Sequence, residues 1–134
     1  MDAPNVAAEP MITLRVTLRR TDVGTTPYRT RTEVPFEGIA TSPHWEGEWR
    51  ATGIDHITRG TTGTSSLDVH TVLTNGDETV MYHAIGRGGP GGIIEGITFE
   101  TASERLAWMN DAVAVGRGEL DGGDLVVELF PVTL

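Results

Sequence analysis

The chain has 134 residues, enough for one hydrophobic core and too few for two ordinary domains. Ten basic side chains against nineteen carboxylates give a formal charge of −9, which argues against a surface that wraps nucleic acid and against an anionic membrane face. The absence of cysteine removes disulfides, thiolate nucleophiles and cysteine metal sites together.

Met1 to Glu9 has neither the basic start nor the apolar run of a signal peptide. Residues 1–10 read as a disordered leader, and 11–134 as a single β-barrel domain with a cytoplasmic home. No apolar stretch approaches the roughly 18 residues that a spanning helix needs.

Met11 to Arg19 alternates, with Ile12, Leu14, Val16 and Leu18 on one face and Thr13, Arg15, Thr17 and Arg19 on the other, as in a half-buried strand. Residues 20–30 carry Asp22, Gly24 and Pro27 and read as a loop. Thr30 to Ala40 reads as a strand bent at Pro35, and therefore as an edge strand or one with a bulge. Glu46–Ala51 and Ile54–Arg59 read as two short strands around Gly53, and Gly60 to Gly63 as a turn.

Ser65 to Thr74 is the clearest central strand. Asn75-Gly76 tolerates positive φ, Asp77 extends the turn, and Glu78 to Arg87 returns as a hairpin partner. Gly88-Gly89-Pro90-Gly91-Gly92 superficially resembles a phosphate-binding loop, but it lacks the lysine motif and a strand follows it. Ile93 to Glu100 reads as the next strand. Thr101 and Glu104 have the spacing of a capping box, which predicts a helix over 101–110. Val113 to Gly118 and Asp124 to Val132 complete the set, separated by the turn Asp121-Gly122-Gly123. Short connections require antiparallel neighbours, and closure removes exposed edges. The expectation is an all-β, antiparallel up-and-down barrel of eight or nine strands with one short helix.

The chemistry-bearing residues concentrate in the middle of the chain: Asp55, His56, Asp68, His70, Tyr82 and His83. Asp68 and His70 share a strand face. A carboxylate beside an imidazole can fix its tautomer and serve proton transfer. Two placements compete. Either this pair faces the interior, leaving Leu67, Val69 and Leu73 as contacts to a second copy, or those three face inward and the pair meets solvent. His56 reads as structural or exposed, and His83 as a satisfied interior histidine. His44 falls in a loop beside Trp45. The four histidines show no ligand spacing for a metal. Trp45, Trp49 and Trp108 suit either a core or a ligand cavity. Glu95 alternates with Ile97 and Phe99, and would be an acid with a raised pKa if that face is interior.

The stretches FEGIATSPHWEGEWRATGIDH at 36–56, SLDVHTVLTNGDETVMYHAIGR at 66–87 and ITFETASERLAWMNDAVAVGRG at 97–118 resemble, in order, the DUF3237 family of small bacterial proteins. The resemblance spans about residues 34–132. Asp55, Asp68, Tyr82, Phe99, Thr101, Trp108 and Asn110 match it position for position. His56 stands where that family tends to have Trp, and His70 where it tends to have Arg. The resemblance implies a calycin-like or allene-oxide-cyclase-like barrel, often self-associating. It raises the expectation of a secondary-metabolite enzyme, such as one in polyketide or antibiotic biosynthesis.

On this reading the protein is a cofactor-free acid–base cyclase, isomerase or dehydratase acting on a hydrophobic, polyketide-like molecule. Asp55, Asp68, His70 and Tyr82 would be catalytic, with Trp49, His83, Glu95, Trp108 and Asn110 binding substrate. No metal, nucleic acid or membrane is expected, and a homodimer is. The alternatives are a non-catalytic barrel that binds a small apolar ligand, and a structural or interaction protein.

Overall fold

The computed structural model describes residues 1–134. Ten strands and one short 3₁₀ turn follow in chain order: β1 Asn5–Val6, β2 Ile12–Leu18, β3 Thr21–Thr25, β4 Arg29–Thr41, β5 Trp49–Gly60, β6 Ser65–Thr74, β7 Thr79–Gly89, β8 Gly92–Thr101, the 3₁₀ turn Ala107–Asp111, β9 Val113–Asp121 and β10 Asp124–Thr133. Strands β2, β4, β5, β6, β7, β8, β9 and β10 pair in that order, and β10 pairs β2 as well as β9. The sheet is therefore an eight-stranded closed antiparallel barrel, and β1 and β3 are additions to it. Closure leaves none of the eight with a free edge along its whole length.

The alternation of β2 sets its register. Ile12, Leu14 and Val16 are buried, and the side chains between them face out. β3 corrects the loop reading of residues 20–30: it pairs with the first part of β4, while β2 pairs with the last part. The thirteen-residue β4 is thus shared by two shorter strands laid end to end. Pro35 sits at their junction. Its carbonyl accepts from Arg19 N–H at 2.8 Å, so its proton-less nitrogen faces the corner between β2 and β3. An interior strand can carry proline there because no ladder partner stands opposite that nitrogen.

β5 is continuous where two short strands were expected. A Cβ at Gly53 would run into the carbonyl of His70 and lie 2.5 Å from Phe36 Cζ, so the glycine makes room for that ring and leaves the strand unbroken. The N-terminal stretch read as a leader contributes β1, which pairs with Val132–Thr133.

One end of the barrel is plugged. Trp45 and Trp49 stack at 4.2 Å, with Met11, Leu73, Leu106 and Met109 buried around them. Arg105 fastens the plug: its guanidinium donates to both carboxylate oxygens of Glu78 and to the carbonyl of His44. Arg105, with Ser103, holds the Glu78 carboxyl down to about 2.

The one short helix expected over 101–110 forms only at the end of that span, as the 3₁₀ turn Ala107–Asp111. Thr101 Oγ1 donates to the Thr79 carbonyl at 2.7 Å and accepts from Ser103 N–H, which ends β8 in a turn. Asn110 then clasps the Thr101 backbone, accepting from its N–H and donating to its carbonyl, so only the turn Ala107–Asp111 is helical. No helix is long and apolar enough to cross a membrane.

Candidate functional site

The other end of the barrel is open. Strand ends β2, β5, β7 and β9 and the starts of β4, β6, β8 and β10 surround a cavity of about 620 Å³. Its wall is mainly aliphatic, including Leu14, Val16, Val34, Leu67, Val69 and Val127. Arg20 and Arg59 stand at its rim, and the glycine-rich turn around Pro90 forms part of its lip.

Three polar side chains enter this apolar space: Asp55 from β5, Tyr82 from β7 and Glu95 from β8. Each faces inward by strand parity, alternating with outward neighbours. Glu95 is only 7% exposed. Its cross-strand partners are Gly86 on β7 and Gly116 on β9, so no side chain stands beside the carboxyl on either flank. A Cβ at Gly86 would meet the Ile94 carbonyl and lie 2.9 Å from Glu95 Cγ, so glycine is required there for Glu95 to fit.

Burial dominates the electrostatics, and no cation offsets it at Glu95. Burial pushes Asp55 up to about 6. Burial, then the charge of Asp55, pushes Glu95 up to about 7. Tyr82 is raised as well, first by burial and then by repulsion from the two carboxylates. Asp55 Oδ1 and Glu95 Oε2 are buried and have no hydrogen-bond partner in the protein. Orphaned buried oxygens are costly, and a cavity that retains them is suited to a ligand with donors to offer. Near neutrality this pair offers an acid and a base within one apolar chamber.

Asp68, His70 and His83 do not belong to this chamber. Leu67, Val69, Thr71 and Leu73 take the inward face of β6, so Asp68 and His70 are on the outer wall. That corrects their assignment as partners of Asp55 and removes Leu67, Val69 and Leu73 as surface contacts to a second copy. His83 also points outward, against its reading as an interior histidine, because the inward positions of β7 belong to Val80, Tyr82 and Ala84. His56 shares the outer face, with Nδ1 at 3.2 Å from Arg31 and 3.5 Å from Glu33.

The remaining expected binding residues lie at the plugged end. Trp49 stacks in the plug, Trp108 meets His44 edge to face at 4.8 Å, and Asn110 holds the β8 terminus. None of the three lines the cavity. Sequence reasoning passed over Arg20 and Arg59 at the rim. Their signal was available in the alternation of β2 and of β5, which puts both on the cavity side.

A family model described as a protein of unknown function, DUF3237, matches residues 6–95. Among solved structures, a β-barrel-like protein from Acinetobacter baumannii is 18% identical with a TM-score of 0.82, covering 99% of this chain and 98% of its own. A protein of unknown function from Clostridium acetobutylicum is 14% identical with a TM-score of 0.84, covering 99% of both chains. An enzyme from Penicillium herquei is 18% identical with a TM-score of 0.71, covering 97% of this chain and 96% of its own. At these identities the likeness shows the barrel and not the chemistry. No curated protein matches the sequence.

Proposed function

The chain belongs to the DUF3237 family, whose function is unassigned, and we propose that its barrel binds a small, largely apolar molecule whose polar group reaches Asp55 and Glu95. The observation that carries this reading is the pair of buried, unpartnered carboxyl oxygens inside an otherwise aliphatic cavity. The cavity volume falls within the roughly 300–1,000 Å³ range of small-molecule sites. A hydroxyl or amine on the ligand would donate to the carboxylates while its hydrocarbon body displaces water from the wall.

A second reading follows from a separate observation. Carboxyls titrating near 6 and 7 sit close to the working pH, where general acid and base catalysis is most effective. Asp55 would then take a proton beside a carbonyl of a hydrophobic, polyketide-like substrate, and protonated Glu95 would return one, with Tyr82 orienting the oxygen. Ring closure, isomerisation and loss of water all fit that exchange. The fungal neighbour described as an enzyme is compatible with it.

Binding is tested with N-phenyl-1-naphthylamine, a neutral fluorophore whose emission shifts to the blue in apolar surroundings. One site per chain is expected. Val69→Trp, which fills the cavity, should weaken binding at least about tenfold, a change of 1.4 kcal/mol or more. Leu67→Phe is the milder companion should the larger ring disturb folding. Binding that ignores both substitutions would contradict the reading. Incubating fused-ring aromatic ketones and following products by mass separates the two readings. Conversion lost in Asp55→Asn or Glu95→Gln, with binding retained, supports catalysis.

A further inference from the structure

We propose that Asp68, His70 and His83 form a site for a divalent transition-metal ion on the outer wall of the barrel. His70 on β6 and His83 on β7 are direct cross-strand partners in the middle of the sheet, where the ladder fixes both backbones. Their rings stack at 4.4 Å and 8°, which brings the two Nε2 atoms to the same side. Asp68 lies two residues before His70 on the same face. Its Oδ1 is 2.7 Å from His83 Nε2 and 3.5 Å from His70 Nε2. The donor atoms of all three side chains lie within 4.8 Å of one another.

Zinc binds imidazole nitrogen and carboxylate oxygen at about 2.0–2.2 Å, so neighbouring donors around it are roughly 3.3 Å apart. The two observed separations straddle that value, and small rotations of exposed side chains reach it without moving a strand. Two imidazoles and one carboxylate are a donor set preferred by zinc and its first-row neighbours, and it leaves further positions open to solvent.

Chemistry close by favours an ion over a simple polar cluster. The ion-pair partners of Asp68 are the two histidines, and no arginine neutralises it. The side chains are 53%, 61% and 41% exposed for Asp68, His70 and His83, so a hydrated ion can reach them. His56, the cross-strand partner of Asp68, turns its Nδ1 to Arg31 and Glu33 instead. To hold the ion through Nε2 each imidazole is neutral with its proton on Nδ1, so the ion takes the place of the hydrogen bond between His83 Nε2 and Asp68. Cavity and metal site use opposite faces of the same two strands, so each can exist without the other.

Isothermal titration of tag-free protein with Zn²⁺ is the test, with Co²⁺ absorption as a spectroscopic check on imidazole ligation. One ion per chain is expected. His70→Ala, His83→Ala and Asp68→Asn should each weaken binding by at least about tenfold, since loss of a group that merely orients a ligand already costs about that much. His56→Ala should bind as the parent does. The side chains of Asp68, His70 and His83 are at least 41% exposed and that of His56 is partly exposed, and matching thermal melts of the ion-free proteins check that folding is unchanged. Absence of Zn²⁺ binding, unchanged affinity in His70→Ala and His83→Ala, or equal loss in His56→Ala would each overturn the assignment.

Discussion

Replacing Glu95 with Gln isolates the consequence of burying a carboxyl without a cation, because the amide keeps the shape and removes the titration. In the folded chain Glu95 is raised from an ordinary 4.5 to about 7. Between those pH values the folded state keeps a proton that the unfolded chain has released. Stability therefore falls as pH rises through that window, and the loss is complete above the folded value. The interval corresponds to about 3 kcal/mol, a substantial part of the roughly 5–15 kcal/mol that holds a small domain folded. The charge of Asp55 is included in the effect on Glu95. Urea unfolding of parent and Glu95→Gln at a series of pH values reads the difference directly. It should be small and constant near pH 4.5 and grow to about 3 kcal/mol in favour of Gln by about pH 8. A difference that stays flat across this range would refute the claim that Glu95 is buried without compensation.

Two further substitutions test the frame that holds the site. Gly86→Ala should destabilise the fold by about 1–3 kcal/mol, because the added methyl meets the Ile94 carbonyl and crowds Glu95; thermal unfolding measures it, and a neutral result would contradict the packing described. Asn110→Ala removes both hydrogen bonds to the Thr101 backbone and should cost about 1–2 kcal/mol in denaturant unfolding while leaving fluorophore binding unchanged, since Asn110 lies outside the cavity.

The barrel was legible where one face is oily and the other wet. Ile12 to Leu18 and the hairpin built on Ser65 to Thr74 could be read almost to the residue, because their alternation admits one register. The failures have specific physical causes. Thr101 and Glu104 have helix-cap spacing, but the threonine hydroxyl finds the Thr79 carbonyl on a neighbouring strand, a tertiary contact that local spacing does not reveal. Thr21–Thr25 pairs with β4 although its side chains are exposed on every residue, so no periodic signal marks it.

Site orientation was harder for the same reason that the site is interesting. In β5 and β7 the inner face carries Asp55 and Tyr82, while the outer face carries Ile54, Met81 and Ile85. Hydrophobicity then no longer identifies the interior, and only the closed sheet settles which histidines face out. Glu95 was the informative exception. A lone charge between the apolar positions Ile97 and Phe99 and Ile93 is hard to place on a core-facing strand unless the core contains a cavity.

Methyl-resolved NMR during titration with N-phenyl-1-naphthylamine tests the central claim most directly. The account predicts saturable shifts confined to the cavity methyls of Leu14, Val16, Val34, Leu67, Val69 and Val127. Shifts centred instead on Val72, Ile85 and Ile94, which are exposed on the outer wall, would contradict it.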